Sequence, residues 1–310
     1  KTMLKRKLNS HLKIKELLAE LKKESYEAYV FLDTGSGNIA DINKNLKNRI
    51  IFILDHHKPE ECETKFIHIN PHLHGIDGSK EISGAGVAYL FSRELNSENK
   101  DLAYLALLGA IGDTQDGKNG FTGLNKEILQ DAISSGKIEI KIGLRMFGLQ
   151  TRPLYKVLEY STNPYIPGIT GNEQAAIEFL KGISIDPVRK LIHLSEDELK
   201  NLVTAIIIKR MGSEAEPEDV LGNIYLLKDQ QEESPTKDLK EFSTLLNSCG
   251  RMNKPSLGIG TCLNDKKSHD AAINLLVEYK KEIIDSLNWF YKNKESSSVI
   301  ESQDLVIINA

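Results

Sequence analysis

Cysteine is scarce in this chain. Cys62, Cys249 and Cys262 are the only three in 310 residues, and no two form a Cys-x-x-Cys pair. An odd count without such a pair fits a reducing compartment rather than a disulfide framework. Long apolar runs are absent too. No stretch approaches the ~20 residues that a membrane-spanning helix needs, and no signal-peptide pattern is visible. The expectation is a soluble, cytoplasmic protein with no membrane partner. Charge of one sign is also lacking: the net value is −4, so composition gives no general nucleic-acid signature and any polyanion site must come from local clusters. Lys1 to Lys23 is one such cluster. Its Leu4, Leu8, Leu12, Leu17, Leu18 and Leu21 suggest an amphipathic helical region whose basic face is either a binding surface or simply solvated. Internal repeats and low-complexity tracts are missing. Plentiful Lys, Glu and Ile beside a single Trp would suit a thermophile.

Hydrophobic residues make up 40% of the chain, enough for a sizeable core, and the length suits one large domain plus part of another. Both ends look cut. Lys1 enters a helical pattern without a capping residue, and Leu305-Val306-Ile307-Ile308-Asn309 reads as a strand that opens a new unit and stops. The expectation is a fragment, or the ordered part of a longer chain.

Against these absences stands Asp55-His56-His57. Arg49 to Leu54 (RIIFIL) is a short apolar run that reads as a buried parallel strand, and the triplet follows it directly. Open α/β sheets place their ligand sites at the carboxyl ends of strands. A carboxylate and two imidazoles are donors that suit Mn, Fe or Zn. Upstream, Ala28 to Leu32 (AYVFL) ends on Asp33, followed by Thr34-Gly35-Ser36-Gly37, where glycine permits a sharp turn and close approach. A third acid, Asp113, follows the apolar segment Leu102 to Ile111 and Gly112. Taken singly, Asp33 and Asp113 could be helix N-caps, and His56 and His57 ordinary surface histidines. Their joint placement after apolar segments argues for a site.

Residues 26–115 alternate short strands with helical stretches, the pattern of a parallel α/β sheet. Ser83-Gly84-Ala85-Gly86 opens a helix through Val87 to Leu95. Its small residues either admit an anionic group to the helix N-terminus or permit close helix–sheet packing. Gly143 to Ile183 is irregular, with turns at Thr151-Arg152-Pro153 and Asn163 to Gly168. Asn172 to Leu180 and Ser195 to Met211 are helical candidates, the second opened by a Ser195/Glu198 capping box. Gln230 to Asp238 is a polar loop, and Ser268 to Asn293 forms a long helix. His68, His72 and His74 cluster near the second strand, where a separate metal site competes with an ordinary loop, and the loop is favoured. Cys249 reads as a small packing residue.

These residues identify a resemblance. VFLDTGSG around Asp33, ILDHHKPE around Asp55-His56-His57, and LLGAIGD ending at Asp113 resemble the second, third and fourth motifs of the DHH phosphoesterase superfamily. The segments Ile69 to Phe91 and Thr151 to Leu180 look like its archaeal RecJ-like exonucleases, including the nuclease that associates with the GINS replication complex. Leu245 to Asp265 (LLNSCGRMNKPSLGIGTCLND) is similar to the Gly-Arg motif of RecJ proteins. The resemblance covers nearly the whole chain, with motifs specific in order and spacing.

It implies an α/β fold: a parallel-sheet DHH domain over 1–265 with a helical insertion at roughly 161–242, a connecting helix over 266–297, and at 298–310 the start of a DHH-associated C-terminal domain. It implies two divalent metals, Mn2+ or alternatively Mg2+. Asp33 would bridge them, His56 and Asp113 would bind one, His57 would contact the scissile phosphate, and Asp55 would either orient the adjacent histidine or stand behind the metal ligands. The physical logic agrees, because two metals about 3.5–4 Å apart neutralise a phosphodiester while serving attacking and leaving oxygens together. Substrate would lie along His57, Ser83, Gly84, Gly86 and Arg251, whose planar fork suits phosphate; an ordinary ion pair is the alternative for that arginine. The implied function is a metal-dependent exonuclease on single-stranded DNA or RNA in replication or repair, with GINS and the replicative helicase as partners. A catalytically silent replisome scaffold, or a nano-RNA or other small-molecule phosphoesterase, are the alternatives. The family's first motif, Asp-x-Asp-Gly, is not found in this sequence, and Lys1 looks to begin just downstream of it. About half of the usual carboxylates are therefore expected here.

Overall fold

The computed structural model describes residues 14–294, 296, 299–301 and 306–308. The basic, leucine-spaced segment lies outside the described residues up to residue 13; beyond that it is helical, as α1 (Ile14–Leu21), and buries Leu18. Strands β1 (Ala28–Leu32) and β2 (Ile50–Leu54) form from the two runs rich in β-branched and aromatic residues. Helix α2 (Ile39–Asn45) connects them, and β3 (Ile67–Ile69) follows. The three strands are parallel in the order β1-β2-β3, with Leu32 beside Leu54 and Leu54 beside Ile69. That register brings the carboxyl ends of β1 and β2 to one edge. The Asp33 N–H donates to the Leu54 carbonyl at 2.9 Å, which ties the two strand ends together.

One sheet face is built from Tyr29, Phe31, Ile51 and Ile53, packed with Leu18, Ile39, Ile42 and Leu46. Each such side chain contributes roughly 1.5–3 kcal/mol on burial. On the other face lies α3 (Gly84–Leu95), whose Phe91 ring sits 5.8 Å from that of Phe52. Burial there is partial. Ile50, the first residue of the strand expected to be buried, is 58% exposed, and β1 alternates, with Val30 and Leu32 more than half exposed. The apolar segment ahead of Asp113 is helix α4 (Ala103–Gly112). It is apolar nearly all round because it packs between α3 and α5 (Gly123–Ser134).

Strands β4 (Ile138–Leu144) and β5 (Leu221–Leu227) pair antiparallel, with Ile138 opposite Leu227 and Leu144 opposite Leu221. Between them run α6 (Leu154–Glu159), α7 (Glu173–Gly182) and α8 (Glu196–Arg210), over a separate core that includes Leu154, Leu158, Leu180, Leu202 and Ile206. The segment expected to be irregular thus holds α6 as well, beside α7, which falls on the helical candidate Asn172 to Leu180. Helix α8 opens with the expected capping box: the Glu198 N–H donates to Ser195 Oγ at 3.2 Å, and the Ser195 N–H to Glu198 Oε2 at 2.7 Å.

The chain divides into two compact units between Ser243 and Thr244, within α9 (Leu239–Arg251). The second unit continues with α10 (Pro255–Cys262), the long α11 (Lys266–Asn293), and an antiparallel pair, β6 (Val299–Glu301) with β7 (Val306–Ile308). Helix α11 starts where the Asp265 side chain accepts the Ser268 N–H. Among the described residues no helix is long and apolar enough to cross a membrane.

Candidate metal centre

Asp55 leaves β2 pointing inward, only 1% exposed. Its Oδ1 accepts the N–H of His56 at 2.9 Å, the N–H of His57 at 3.3 Å and the His57 ring Nδ1 at 2.7 Å. Its Oδ2 accepts the Ser36 N–H at 2.9 Å, from the loop that follows β1. Burial pushes this carboxyl upward, but the Ser36 N–H and the ring and backbone of His57 outweigh it and hold Asp55 below the ordinary carboxylate value. Asp55 is therefore an anchor. It fixes the two histidines and the turn after Asp33 to one point.

His56 is buried, and its Nδ1 lies 2.7 Å from the Gly78 carbonyl and 3.2 Å from that of Ile82. Carbonyls only accept, so Nδ1 carries the proton. Nε2 then faces Asp33 Oδ1 at 3.2 Å and Asp113 Oδ2 at 3.7 Å. The hydrogen bond to Asp33, helped by the Gly78 carbonyl and the charges of Asp33 and Asp113, overcomes burial and raises this imidazole to about 9. Two carboxylates converging on one ring nitrogen need positive charge between them, supplied by a proton or by a cation. His57, with Nδ1 held by Asp55 and 4.0 Å from Asp33 Oδ1, is 60% exposed. Asp33, His56 and His57 offer ligand atoms within 4.8 Å of one another.

Asp113 is the C-cap of α4, not an N-cap. The Thr114 N–H bonds to the Ile111 carbonyl at 3.0 Å and the Gln115 N–H to that of Ala110 at 2.8 Å, with Thr114 in the left-handed region at φ 58. This is the Schellman ending, built on a β-branched residue where glycine is usual. It sets a carboxylate at the negative end of a helix dipole. Burial raises the Asp113 carboxyl, His56 opposes that, and Asp33 adds to it. A cation would relieve all of these strains together, and the carboxylate–imidazole donor set fits a hard or borderline divalent metal.

The remaining candidates fall in three places. Ser83 is fully buried and its hydroxyl accepts the Gly86 N–H at 3.1 Å, so it caps α3. Gly84 lies against the Asp33 carboxylate: a Cβ there would come within 2.7 Å of Asp33 Cγ. Gly86 faces Ile82 and Ile128. These contacts speak for close packing at the helix start. Arg251 is exposed on the last turn of α9, beside a groove in the second unit lined by Tyr279, Glu282 and Phe290. His68 Nε2 bonds to Ser36 Oγ at 2.8 Å, and burial, against the Asp55 charge, lowers its pKa, so it is a neutral brace. Among the described residues His68, His72 and His74 form no metal-holding group.

Four contributors went unread in the sequence. Ser36 supplies the N–H to Asp55 and a hydroxyl shared with His68 and Asn70. Asn70 also donates to the His57 carbonyl at 2.8 Å. Gln115 and Asn125 stand behind His56. Ser36, Asn70 and Gln115 lie outside the α-helices and strands, where no periodic signal exists, and Asn125 is a single buried polar residue in α5; only Asn70, ahead of Pro71, offered any positional hint.

Comparison with known proteins decides the family. The model of the DHH family N-terminal domain matches residues 2–110, and the model of the DHH-CID domain matches residues 146–222, together more than half of the chain. The chain belongs to the DHH superfamily. The DHH match takes in Asp33, Asp55, His56 and His57 and stops three residues short of Asp113. The DHH-CID match begins just after β4 and ends in β5, so the antiparallel pair frames that domain. An uncharacterized protein of Methanocaldococcus jannaschii is 37% identical over 280 residues, which is 88% of this chain and 60% of that protein. The chain thus spans about three-fifths of the length of the curated relative it matches. Two solved structures are also similar: exonuclease RecJ bound to manganese, at 15% identity and TM-score 0.41 over 86% of this chain and 48% of that one, and RecJ from Thermus thermophilus in complex with Mn2+, at 15% and 0.47 over 92% and 32%.

Proposed function

We propose that this DHH chain is the catalytic part of a RecJ-like, Mn2+-dependent exonuclease that hydrolyses phosphodiester bonds of single-stranded DNA or RNA. The supporting observation is His56: its Nδ1 is committed to two carbonyls, and its Nε2 is turned between Asp33 and Asp113. Asp33, His56 and Asp113 would hold the metal. When bound, divalent cations supply positive charge to a phosphodiester and lower the pKa of attacking water. Asp55 orients both histidines. His57, its Nδ1 held by Asp55 and its ring exposed, presents Nε2 to a phosphate oxygen. Arg251, exposed in the second unit, is proposed separately as a phosphate contact. In domain terms we place the DHH domain at 1–265 with its insertion at about 161–242, the connecting helix at 266–297, and a DHH-associated domain from 298.

The full-length protein, incubated with Mn2+ and end-labelled oligonucleotides, should release nucleotides progressively, and Asp33→Asn and His56→Gln should each abolish release. Equal behaviour of wild type and both variants would end the nuclease reading and leave a scaffold that binds replication partners such as GINS. Hydrolysis confined to two- to five-nucleotide substrates would assign a nano-RNA phosphoesterase instead.

A further inference from the structure

Behind His56 lies a buried polar chain that neither ligates nor faces solvent. Gln115 Nε2 donates to the Gly78 carbonyl at 3.0 Å and points to that of Ile82 at 3.4 Å. These are the two carbonyls that receive His56 Nδ1. Gln115 Oε1 in turn accepts Asn125 Nδ2 at 2.7 Å. Gln115 is 5% exposed and Asn125 fully buried. Asn125 also donates its N–H to the Glu81 carbonyl at 2.8 Å, so Gly78, Glu81 and Ile82 are gripped from one side. From the other side Gly78 has no room: a Cβ there would strike the His56 carbonyl.

The same turn presents a candidate ligand and the brace of another. Asp113 caps α4, and two residues later the Schellman bond from the Gln115 N–H to Ala110 folds the chain back, with Gln115 inward. A hydrophobic residue often fills that position in such a turn. Here an amide does, and its reach ends on the carbonyls that hold His56.

We propose that Gln115, held by Asn125, is the positioning residue of His56: it fixes the Gly78 and Ile82 carbonyls so that Nδ1 stays protonated and Nε2 faces Asp33 and Asp113. The proposal rests on the reading of Asp33, His56 and Asp113 as a cation site. Hydrogen-bond partners of a ligating histidine set its tautomer and ring orientation, and their loss typically weakens metal affinity about ten- to a hundredfold.

The test measures Mn2+ affinity of the whole protein by electron paramagnetic resonance of free Mn2+, beside metal-free melting curves and 15N spectra of the histidine rings with Mg2+ bound. Gln115→Met, which keeps the volume and removes the amide, should weaken Mn2+ binding about ten- to a hundredfold and mix the His56 tautomers. Leu129→Ala, in α5 and apart from the carbonyls, should lower the melting temperature while leaving affinity and tautomer unchanged. An unchanged affinity and a single His56 tautomer in Gln115→Met overturn the proposal, provided Asp33→Asn and His56→Gln do abolish binding. Should those two bind Mn2+ as the wild type does, the cation reading itself fails and takes this one with it. If Gln115→Met does not fold, Asn125→Ser carries the test: about a threefold or greater loss of affinity is required, and none overturns it.

Discussion

The carboxylate of Asp33 rests on the Cα of Gly84, so closely that a Cβ at position 84 would come within 2.7 Å of Asp33 Cγ and 2.9 Å of its Cβ. The first turn of α3 therefore sets where the end of β1 can place its acid. Two positions on, a Cβ at Gly86 would instead meet Ile82 Cγ1 at 2.7 Å and Ile128 Cδ1 at 3.2 Å, which is core.

These two glycines should fail in different ways. Gly84→Ala must displace Asp33, so Mn2+ affinity and nuclease rate should drop about tenfold or more while the metal-free melting temperature moves little. Gly86→Ala overpacks the core and should cost about 1–3 kcal/mol of stability, with metal affinity kept in the folded fraction. Parallel Mn2+ titrations and urea melts separate them. Affinity lost in Gly86→Ala but not in Gly84→Ala would contradict the placement.

Asp55 makes a different demand, because all four of its contacts are donors: three N–H groups and the His57 ring. An asparagine offers only one accepting oxygen and turns an NH2 toward donors. Asp55→Asn should therefore lose about 1–3 kcal/mol of stability for each donor left unpaired as well as most activity. Calorimetry of the metal-free chain checks it. A variant as stable as wild type would mean that Asp55 does not hold the site together.

Much of this was legible in the sequence, for a definite reason. Strands β1 and β2 are short, apolar and β-branched, their ends coincide with Asp33 and Asp55, and a parallel register puts those ends side by side. Helix α8 announced itself by its capping box, α11 by its apolar periodicity and α3 by the small residues that open it. What stayed hidden depends on contacts between distant segments. Gln115 sits in the polar stretch after α4 and Asn125 in the first turn of α5, and only the meeting of residues 78–82 with both gives them a task. The β4–β5 pair was missed although Ile138, Ile140 and Ile142 alternate, because the partner strand begins 77 residues after β4 ends. Ser83 and its glycines admitted two readings because a small residue marks close approach without saying of what.

Chelation should make stability fall with rising pH through His56. Its imidazole is raised from 6.5 to about 9, chiefly by the hydrogen bond to Asp33, so the folded chain holds that proton more tightly than the unfolded chain does. The stabilisation is complete below about pH 6.5 and is lost as pH climbs through about 9. Asp33 is more than half open to water, so the effect should be on the order of 1–2 kcal/mol after screening. Urea melts in chelator between pH 6 and 9.5 should show this decline, and Asp33→Asn should flatten it. Added Mn2+ should stabilise more at pH 8.5 than at pH 6, because a cation replaces the proton. A wild-type profile already flat in chelator would remove His56 from its place between the two carboxylates.

A second titration runs through a group away from the centre. The Asp238 side chain caps α9, accepting the N–H of Lys240 at 2.7 Å and of Glu241 at 3.1 Å. Burial first, and the nearby Glu241 second, push its carboxyl up to about 7. A raised acid binds its proton more tightly when folded, so stability declines as pH rises from about 4 to about 7, and the loss persists above. Asparagine caps a helix about as well as aspartate does, and it carries no charge to bury. Asp238→Asn should therefore be more stable than wild type by roughly 1 kcal/mol or more at pH 8, with the advantage shrinking at pH 5, where Asp238 is already protonated. Melting temperatures at the two pH values decide it. An equal loss at both would show that the carboxylate, rather than its oxygen acceptor alone, is needed at the start of α9.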